Sequence, residues 1–470
     1  MKVEFFTLGC KVNTYETEAM KALFIDRGYE VIDNDKKNSK EKKEISDIYV
    51  INTCSVTNIA EKKSRQYIRR AKELNPKAII VACGCYAQVA KNDIEKINGV
   101  DIILGNNEKT NIVDIIEKYI GKKETIVSDV MHQNDYLDFK NTEITKLNRA
   151  DVKVQDGCDR FCSYCIIPYA RGKVRSREPE SILKEIKDLV GKGIKEIVVT
   201  GIHLASYGKD FNDEKGKEYR EKYGYEEEYK KFDAKDDLHS GSFRLIELLE
   251  QINKIEGLER IRLGSIEPKL INDQFISRLK NVNKICHHFH LSLQSGNNKT
   301  LKDMNRRYNI EEFEDVVNIL RKTYKDVILT TDIIVGFPGE TDEDFEKTYK
   351  YLEKIKLYKM HIFKYSPKKG TIAEKMPMQI DGNIKEIRSN KLIELSNKNQ
   401  LEYNKMYIGK DVFVLIEEKE KNMYKGHTDN YLLVNIEDEN KSNDKTIINK
   451  IVKVRITDIY NNLELKGIIE

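Results

Sequence analysis

The closest group of reactive side chains in the sequence is a set of three cysteines. Cys158, Cys162 and Cys165 are separated by three and then two residues. Thiolates at this spacing can bind three irons of a [4Fe-4S] cluster, and the fourth iron then has no protein ligand. Structural zinc normally takes four ligands, and bacterial ferredoxin runs have a fourth Cys followed by Pro, which this run lacks. The spacing therefore favours a cluster whose open iron can bind a substrate.

The segments around this loop predict a β/α barrel. From about residue 146 onward, strand and helix patterns alternate, and repeated units of this kind close into a partial or full barrel with its active site at the carboxyl ends of the strands. The predicted strands end near Cys158, Gly201, Glu267, Gln294, Gly336 and Ser366. Glycine and serine are also common in ordinary turns at such positions. The pocket candidates are Gly201, Ser265, Glu267 and Gln294.

The N-terminal part predicts a parallel α/β sheet in which further cysteines follow strands. Cys10, Cys54 and Cys85 each stand between a strand pattern and a helix pattern. The carboxyl ends of parallel strands meet at one edge of a sheet, so these thiols predict a second three-thiolate cluster, although each alone is equally typical of a buried thiol. Cys83 competes with Cys85 for the third position. Cys85 is preferred because it lies in the turn.

Composition sets broad limits on the class of protein. The 470 residues are 39% hydrophobic, and 82 Lys and Arg nearly balance 78 Asp and Glu, so any nucleic-acid surface must be local. The N-terminus lacks the apolar core of a signal peptide, and no run of about 18 apolar residues would cross a membrane. We expect a cytoplasmic protein with no membrane partner. In a reducing compartment, its eight cysteines are expected to serve as metal ligands in preference to disulfides.

Several charged segments have two interpretations. Arg171, Arg175 and Arg177, with Lys173 between them, follow the cluster loop and would suit RNA phosphates, or would pair with carboxylates. The Lys-rich stretch 36–46 predicts a solvated loop, with an RNA-binding segment as the weaker alternative. The polar insert 208–242 predicts a mobile surface excursion, with a lid as the weaker alternative.

The C-terminal part predicts a small β-barrel after a charged helical segment. Short alternating strands surround residues 412–416, 432–434 and 452–456. Lys453 and Arg455 take outward positions in the last of them and are candidate RNA contacts, although a plain solvated face is equally common. Cys286-His287-His288 looks like a metal site but precedes a strand, and a structural role is expected.

The cysteine loop resembles that of the radical S-adenosylmethionine (SAM) enzymes, in which an aromatic residue precedes the last cysteine, as Tyr164 does here. The resemblance implies that SAM chelates the open iron and is cleaved reductively to a 5′-deoxyadenosyl radical. It also places Tyr164 beside the adenine.

The whole chain resembles the methylthiotransferase family. The most specific blocks are LGCKVNTYE (8–16), NTCSVTNIAEKKSRQ (52–66), GCYAQ (84–88), GCDRFCSYCIIPYARGKVRSR (157–177) and GHTDNY (426–431). The resemblance implies an α/β chain with an N-terminal parallel-sheet domain, a radical SAM partial (β/α)6 barrel and a small all-β TRAM barrel. The expected bounds are 1–138, 144–376 and 403–470, with a helical linker at 377–402.

Residues 11–16 and 55–57 resemble the branch of the family that acts on threonylcarbamoyladenosine in tRNA. The implied reaction adds a methylthio group at C2 of that base and uses two [4Fe-4S] clusters, held by the two cysteine sets, and SAM. The implied partners are tRNA, an external electron donor and a sulfur source. The alternatives are methylthiolation of isopentenyladenosine and a non-catalytic iron-sulfur RNA-binding protein.

Overall fold

The structure, a computed structural model, describes residues 1–34, 44–139, 148–225, 243–438, 446–461 and 463–470. The chain divides into two compact units. As far as their residues are described, the first comprises 1–145, 155–177 and 366–374, and the second comprises 146–154, 178–365 and 375–470. Most of the Lys-rich stretch and residues 226–242 of the insert lie outside the described residues. The expected domain bounds remain a prediction.

The first unit contains the predicted parallel sheet. Strand Ile48–Thr53 is buried along its whole length, because helices cover both faces of the sheet. In spatial order the strands are Glu30–Ile32, Lys2–Thr7, Ile48–Thr53, Ile79–Gly84, Ile102–Leu104 and Glu124–Ile126. The helices of this sheet domain are Lys11–Asp26, Asn58–Leu74, Cys85–Val89, Lys91–Glu95 and Ile112–Glu117.

The expected barrel strands are present, and they end close to the predicted positions. One sheet has the order Arg260–Leu263, Glu196–Gly201, Arg149–Asp156 and Arg175–Ser176, and the other has the order Ser265–Ile266, His288–Gln294, Ile328–Val335 and Lys359–Lys364. Only Gly264 separates strand Arg260–Leu263 from Ser265–Ile266, so the two sheets follow one another along the barrel wall. The helices of this part are Ile167–Arg171, Pro179–Gly191, Asp213–Lys222, Leu245–Asn253, Asp273–Leu279, Asn298–Asp303, Ile310–Thr323 and Asp342–Ile355.

The C-terminal residues form the predicted barrel after helix Gly382–Lys405. The barrel is closed, and alternate residues such as Val414, Ile416, Val434 and Val454 fill its interior. Its strands are Asp411–Glu420, Met423–Thr428, Leu433–Glu437, Glu464–Ile469 and Ile451–Tyr460, in spatial order.

The described part of the 208–242 insert differs from the predicted loose excursion. Helix Asp213–Lys222 carries a buried Tyr219, whose ring lies 5.2 Å from that of Phe211 and 5.6 Å from that of Phe243. Contacts between these aromatic rings therefore hold the helix in place, although the high charge content of the segment predicted a mobile surface excursion.

A buried carboxylate, Glu196, organises the charges of the barrel. Its oxygens lie 2.8 Å from Arg262 Nε, 3.4 Å from Arg149 Nη1 and 3.7 Å from Arg260 Nη1. Burial by itself would raise the pKa of Glu196, but Arg262 and then Arg149 and Arg260 outweigh it and lower the pKa to about 2. The ring of Tyr431 from the C-terminal barrel lies under the Arg262 guanidinium at 4.5 Å, so this network also holds that barrel.

We expect Glu196→Gln to lower the free energy of unfolding by about 3–5 kcal/mol at pH 7, because it leaves buried arginines without their counter-charge. Urea unfolding followed by circular dichroism measures this, with the exposed Glu353→Gln as a control that should change it by less than about 0.5 kcal/mol. The folded-state pKa lies below the unfolded value of 4.5, so the difference should shrink as pH falls from 4.5 towards 2. Equal losses in the two variants at pH 7 would contradict this role.

Candidate functional site

The first cysteine loop follows a strand whose last residues, Gln155 and Asp156, pair with Ser176 and Arg175. Gly157 then takes φ +72°, and a Cβ there would lie 1.7 Å from the Lys173 carbonyl oxygen, so only glycine fits. The Cys158 amide donates to the Gly172 carbonyl at 3.0 Å, which closes the base of the loop.

Within this loop the chain turns sharply enough to gather its thiols. Phe161 adopts a left-handed φ of +47°, and the Cys165 amide donates to the Cys162 carbonyl at 2.9 Å. The thiols of Cys158 and Cys162 interact electrostatically, and all three cysteines are half-buried. The turn therefore brings at least the thiols of Cys158 and Cys162 near one another, with Cys165 three residues further along the same loop.

The second cysteine set lies at the ends of adjacent strands, as predicted. Cys10 caps helix Lys11–Asp26, Cys54 follows strand Ile48–Thr53, and Cys85 begins helix Cys85–Val89. A Cβ on Gly9 would lie 2.7 Å from Cys54 Sγ, so the chain passes closely over that thiol. The thiols of Cys10 and Cys54 each interact electrostatically with that of Cys85. The structure thus brings these three side chains together.

The choice between Cys83 and Cys85 depends on the backbone of Gly84. Its φ of +97° breaks the strand, so the alternation of side chains does not continue to Cys85. Cys83 instead lies in the hydrophobic core with Val3 and Val50. The geometry favours Cys85 as the third member of the set.

Burial raises the pKa of Cys54, Cys83 and Cys158 to about 12. Binding of a metal by Cys54 and Cys158 would therefore release their protons, whereas Cys83 stays a buried thiol of the core.

A buried guanidinium connects the two cysteine regions. Arg171 is 0% exposed, and its Nη1 donates to Glu16 at 2.7 Å and to Asp156 at 3.1 Å, while Nη2 donates to Asn13 Oδ1 at 2.8 Å. Burial lowers the pKa of Arg171, but Cys85, Glu16 and Asp156 outweigh it and raise that pKa well above its usual range. Lys109 donates to Glu16 at 2.6 Å and completes the network.

The predicted RNA contacts at Arg171, Arg175 and Arg177 are wrong, because all three side chains are buried. Arg175 donates to Asn107 Oδ1 at 3.3 Å, and Arg177 pairs with Asp138 at 2.8 Å. These arginines instead follow the alternative interpretation, in which they pair with groups inside the protein. Several of their partners, such as Glu16, Asn107 and Asp138, lie far away in the sequence, whereas Asp156 is near.

The candidate RNA contacts of the C-terminal barrel are half-exposed but also have internal partners. Lys453 and Arg455 lie 2.9 Å and 2.5 Å from Asp411, and both contact Glu470 as well. Their role in RNA binding remains a prediction.

We expect Arg171→Met to lower the free energy of unfolding by about 3–5 kcal/mol, since Glu16 and Asp156 lose their buried counter-charge. The same variant should bind less iron per chain, because the network holds both cysteine regions. Urea unfolding of the metal-free protein and iron analysis after reconstitution measure the two effects. Lys173→Met, two residues away and exposed, is the control, and similar behaviour of the two variants would refute the bridging role.

The predicted pocket residues lie at the carboxyl ends of the barrel strands. Gly201 ends strand Glu196–Gly201, and Gln294 ends strand His288–Gln294 with a left-handed φ of +72°. Ser265 is exposed, and Glu267 is buried one residue after strand Ser265–Ile266. Tyr164 is half-buried in the first cysteine loop. Binding of SAM by these residues remains a prediction.

Sequence reasoning missed a set of polar residues in the barrel. His203 Nε2 lies 2.5 Å from Glu267 Oε2, and His290 Nε2 lies 3.2 Å from Asp332 Oδ2. His361 is the neighbour of Asp332 on the next strand. The alternation of polar residues in HFHLSLQ (288–294) was the available signal, since residues two apart share one face of a sheet.

Cys286, His287 and His288 do not converge on one site. Cys286 is buried in the core, His287 Nδ1 contacts Asp326 at 2.7 Å, and the His288 ring stacks 4.8 Å from that of Tyr431. These three side chains therefore do not form one metal site, and the expected structural role remains a prediction.

The donor set fits iron-sulfur clusters. Each of two regions offers three thiols, which are the soft ligands that such clusters use. The two remaining cysteines, Cys83 and Cys286, are both buried in the core, so neither region gains a fourth thiol. Among the described residues, no helix is both long and apolar enough to cross a membrane.

Comparisons with known proteins give matches over both units. Residues 152–352 match the radical SAM superfamily, and residues 2–105 match a family described as uncharacterized protein family UPF0004. The chain is 40% identical to the threonylcarbamoyladenosine tRNA methylthiotransferase MtaB of Bacillus subtilis, over 97% of this chain and 93% of that protein. It is 38% identical to the protein of the same name from Aquifex aeolicus, over 92% of this chain and 96% of the relative.

More distant matches extend the comparison. The chain is 33% identical to a tRNA-2-methylthio-N(6)-dimethylallyladenosine synthase of Thermoanaerobacter, over 96% of this chain and 89% of that protein. Among solved structures, the radical SAM methyltransferase TsrM of Kitasatospora setae matches with a TM-score of 0.53 and 14% identity, over 77% of this chain and 72% of that one. The structural match concerns the fold alone.

The barrel and its three-cysteine loop define a radical SAM enzyme. The chain belongs to the methylthiotransferase family within that superfamily. Its cofactors are accordingly SAM and two [4Fe-4S] clusters.

Proposed function

We propose that this enzyme adds a methylthio group to C2 of N6-threonylcarbamoyladenosine at position 37 of tRNA, next to the anticodon. The observation that carries the proposal is the full-length similarity to two relatives named for this substrate, at 40% and 38% identity. Relatives named for dimethylallyladenosine are 33% to 35% identical. Lys11-Val12-Asn13 and Ser55-Val56-Thr57 also resemble the threonylcarbamoyladenosine branch.

In this proposal Cys158, Cys162 and Cys165 bind the cluster that holds SAM, and Cys10, Cys54 and Cys85 bind the second cluster. The aromatic C2–H bond is inert to acid-base chemistry, and the bound cofactors supply the radical and sulfur chemistry that it requires. The support for the assignment is the grouping of the six thiols described above.

The protein's own residues bind and position the reactants. Tyr164, Gly201, Ser265, Glu267 and Gln294 would bind SAM, with His203 holding the Glu267 carboxylate. The target base must leave its stack to reach a buried site, as in other enzymes that modify bases. The proposal also requires an external electron donor and a sulfur source, and places the enzyme in the cytoplasm with its tRNA substrate.

Nucleoside mass spectrometry on total tRNA from cells with and without this gene tests the proposal. Loss of 2-methylthio-N6-threonylcarbamoyladenosine, with accumulation of the unthiolated nucleoside, is the expected result. Loss of the methylthio-isopentenyl nucleoside would instead assign the alternative substrate. An unchanged profile in a strain with no second gene of this type would refute both.

Single cysteine variants test which set binds which cluster. Cys162→Ala should abolish reductive cleavage of SAM, whereas Cys10→Ala should preserve cleavage and block methylthiolation. Formation of 5′-deoxyadenosine and of the methylthio nucleoside are the two measurements, each with iron analysis. Cys83→Ala is the matched control and should keep the iron content of the native protein. The opposite pattern for Cys162 and Cys10 would reverse the assignment.

A further inference from the structure

Helix Asn58–Leu74 has one face in the core and one face in solvent. Ser64, Ile68 and Ala71 are buried against the sheet. The opposite face carries a row of exposed cations, called here the basic stripe: Lys62, Lys63, Arg69 and Arg70. Gln66, also exposed, lies between the two pairs. At about 1.5 Å per residue, the stripe is roughly 12 Å long.

Three other charged residues of this helix have partners, and a fourth, Glu73, is exposed. Arg65 donates to the Tyr86 hydroxyl at 2.9 Å, and Lys72 donates to the Ala78 carbonyl at 3.1 Å. Glu61 accepts from Ser55 at 2.7 Å and from Lys368 at 2.9 Å. Within the part of the chain that the structure describes, the four stripe cations make no ion pair or hydrogen bond.

Glu73 follows Arg69 at a spacing of four residues, but Lys62 and Lys63 have no such carboxylate. Solvated helices typically gain from opposite charges four residues apart, but Lys62 and Lys63 are followed at that spacing by Gln66 and Tyr67. Four cations against the single exposed carboxylate Glu73 leave this face of the helix with a net positive charge, as in nucleic-acid-binding surfaces.

The stripe begins close to a cysteine of the second set. Cys54 lies four residues before the helix, and the Val56 amide lies 3.4 Å from its Sγ. Thr57 caps the helix by accepting from the Ala60 amide at 3.1 Å. Val56 and Ile59, which are 53% and 66% exposed, lie between this cysteine and the cations. An apolar patch beside a row of cations fits RNA, in which exposed bases adjoin phosphates.

We propose that the basic stripe binds the phosphate backbone of the tRNA substrate, so that the N-terminal domain takes part in holding the RNA. This inference rests on the proposed function. It gives the RNA a site with exposed and unpaired cations, whereas Arg171, Arg175 and Arg177 are buried and Lys453 and Arg455 are paired with carboxylates.

The test compares two fourfold variants of the reconstituted holoenzyme. The stripe variant is Lys62→Gln, Lys63→Gln, Arg69→Gln and Arg70→Gln. The control variant is Lys91→Gln, Lys96→Gln, Lys118→Gln and Lys122→Gln, which removes the same charge from other exposed positions of the first unit. Iron content and circular dichroism verify that both are folded.

Binding of tRNA that carries threonylcarbamoyladenosine is measured by fluorescence anisotropy over a range of salt concentrations. We expect the stripe variant to bind roughly 10- to 100-fold more weakly at about 0.1 M salt than the native enzyme. The slope of log K against log salt should fall by about 3, since each lost phosphate contact removes roughly 0.7–0.9. The control variant should bind like the native enzyme.

Four outcomes would overturn the inference. If the stripe and control variants bind tRNA equally weakly, only net charge matters. If both bind tRNA with the affinity of the native enzyme, the stripe does not contact the RNA. A stripe variant that binds tRNA as tightly as the native enzyme does, but accepts electrons more slowly from a small acidic flavoprotein, would assign the stripe to the electron donor. Failure of the native enzyme to bind this tRNA would overturn the proposed substrate together with the stripe.

Discussion

The buried ion cluster around Arg171 is the constraint on which the metal-binding unit depends. Removing a guanidinium and two carboxylates from water is costly, and it is tolerated only when each charge keeps close partners. Glu16 lies in the helix that Cys10 caps, Asp156 lies two residues before Cys158, and Arg171 ends the short helix after Cys165. One set of charges therefore fixes both cysteine regions. A displacement of either would leave a buried charge unpaired.

The two thiol sets share a chemistry but are built differently. One loop with a sharp turn supplies all of Cys158, Cys162 and Cys165, so short-range backbone geometry gathers them. Cys10, Cys54 and Cys85 come from three separate strand ends, and only the pairing of these parallel strands gathers them. The first set is readable from spacing alone. The second set can be recognised only after a parallel sheet is predicted, because its three cysteines are far apart in the sequence.

The interactions of the Lys and Arg side chains differ between three parts of the chain. Near the cluster loop the cations form internal ion pairs, and in the C-terminal barrel they form surface ion pairs, whereas the four cations of the basic stripe make no ion pair with any described residue. A count of charged residues treats these cations alike, because it does not show which residues pair with them. The carboxylates that decide the matter for Arg171 and Arg177 come from the N-terminal domain. The pairing of these cations therefore could not be predicted from the sequence, whereas the order of the strands could.

The sequence by itself determined the strand and helix order, the partial barrel, the small C-terminal barrel and the three-cysteine loop, because periodicity and spacing are local properties. Tertiary structure decided the rest. The backbone of Gly84 separates Cys83 from Cys85, aromatic packing orders helix Asp213–Lys222, and distant carboxylates bury the arginines. The His203–Glu267 pair likewise joins two barrel loops. Each of these outcomes depends on contacts between residues far apart in the chain, which no local pattern encodes.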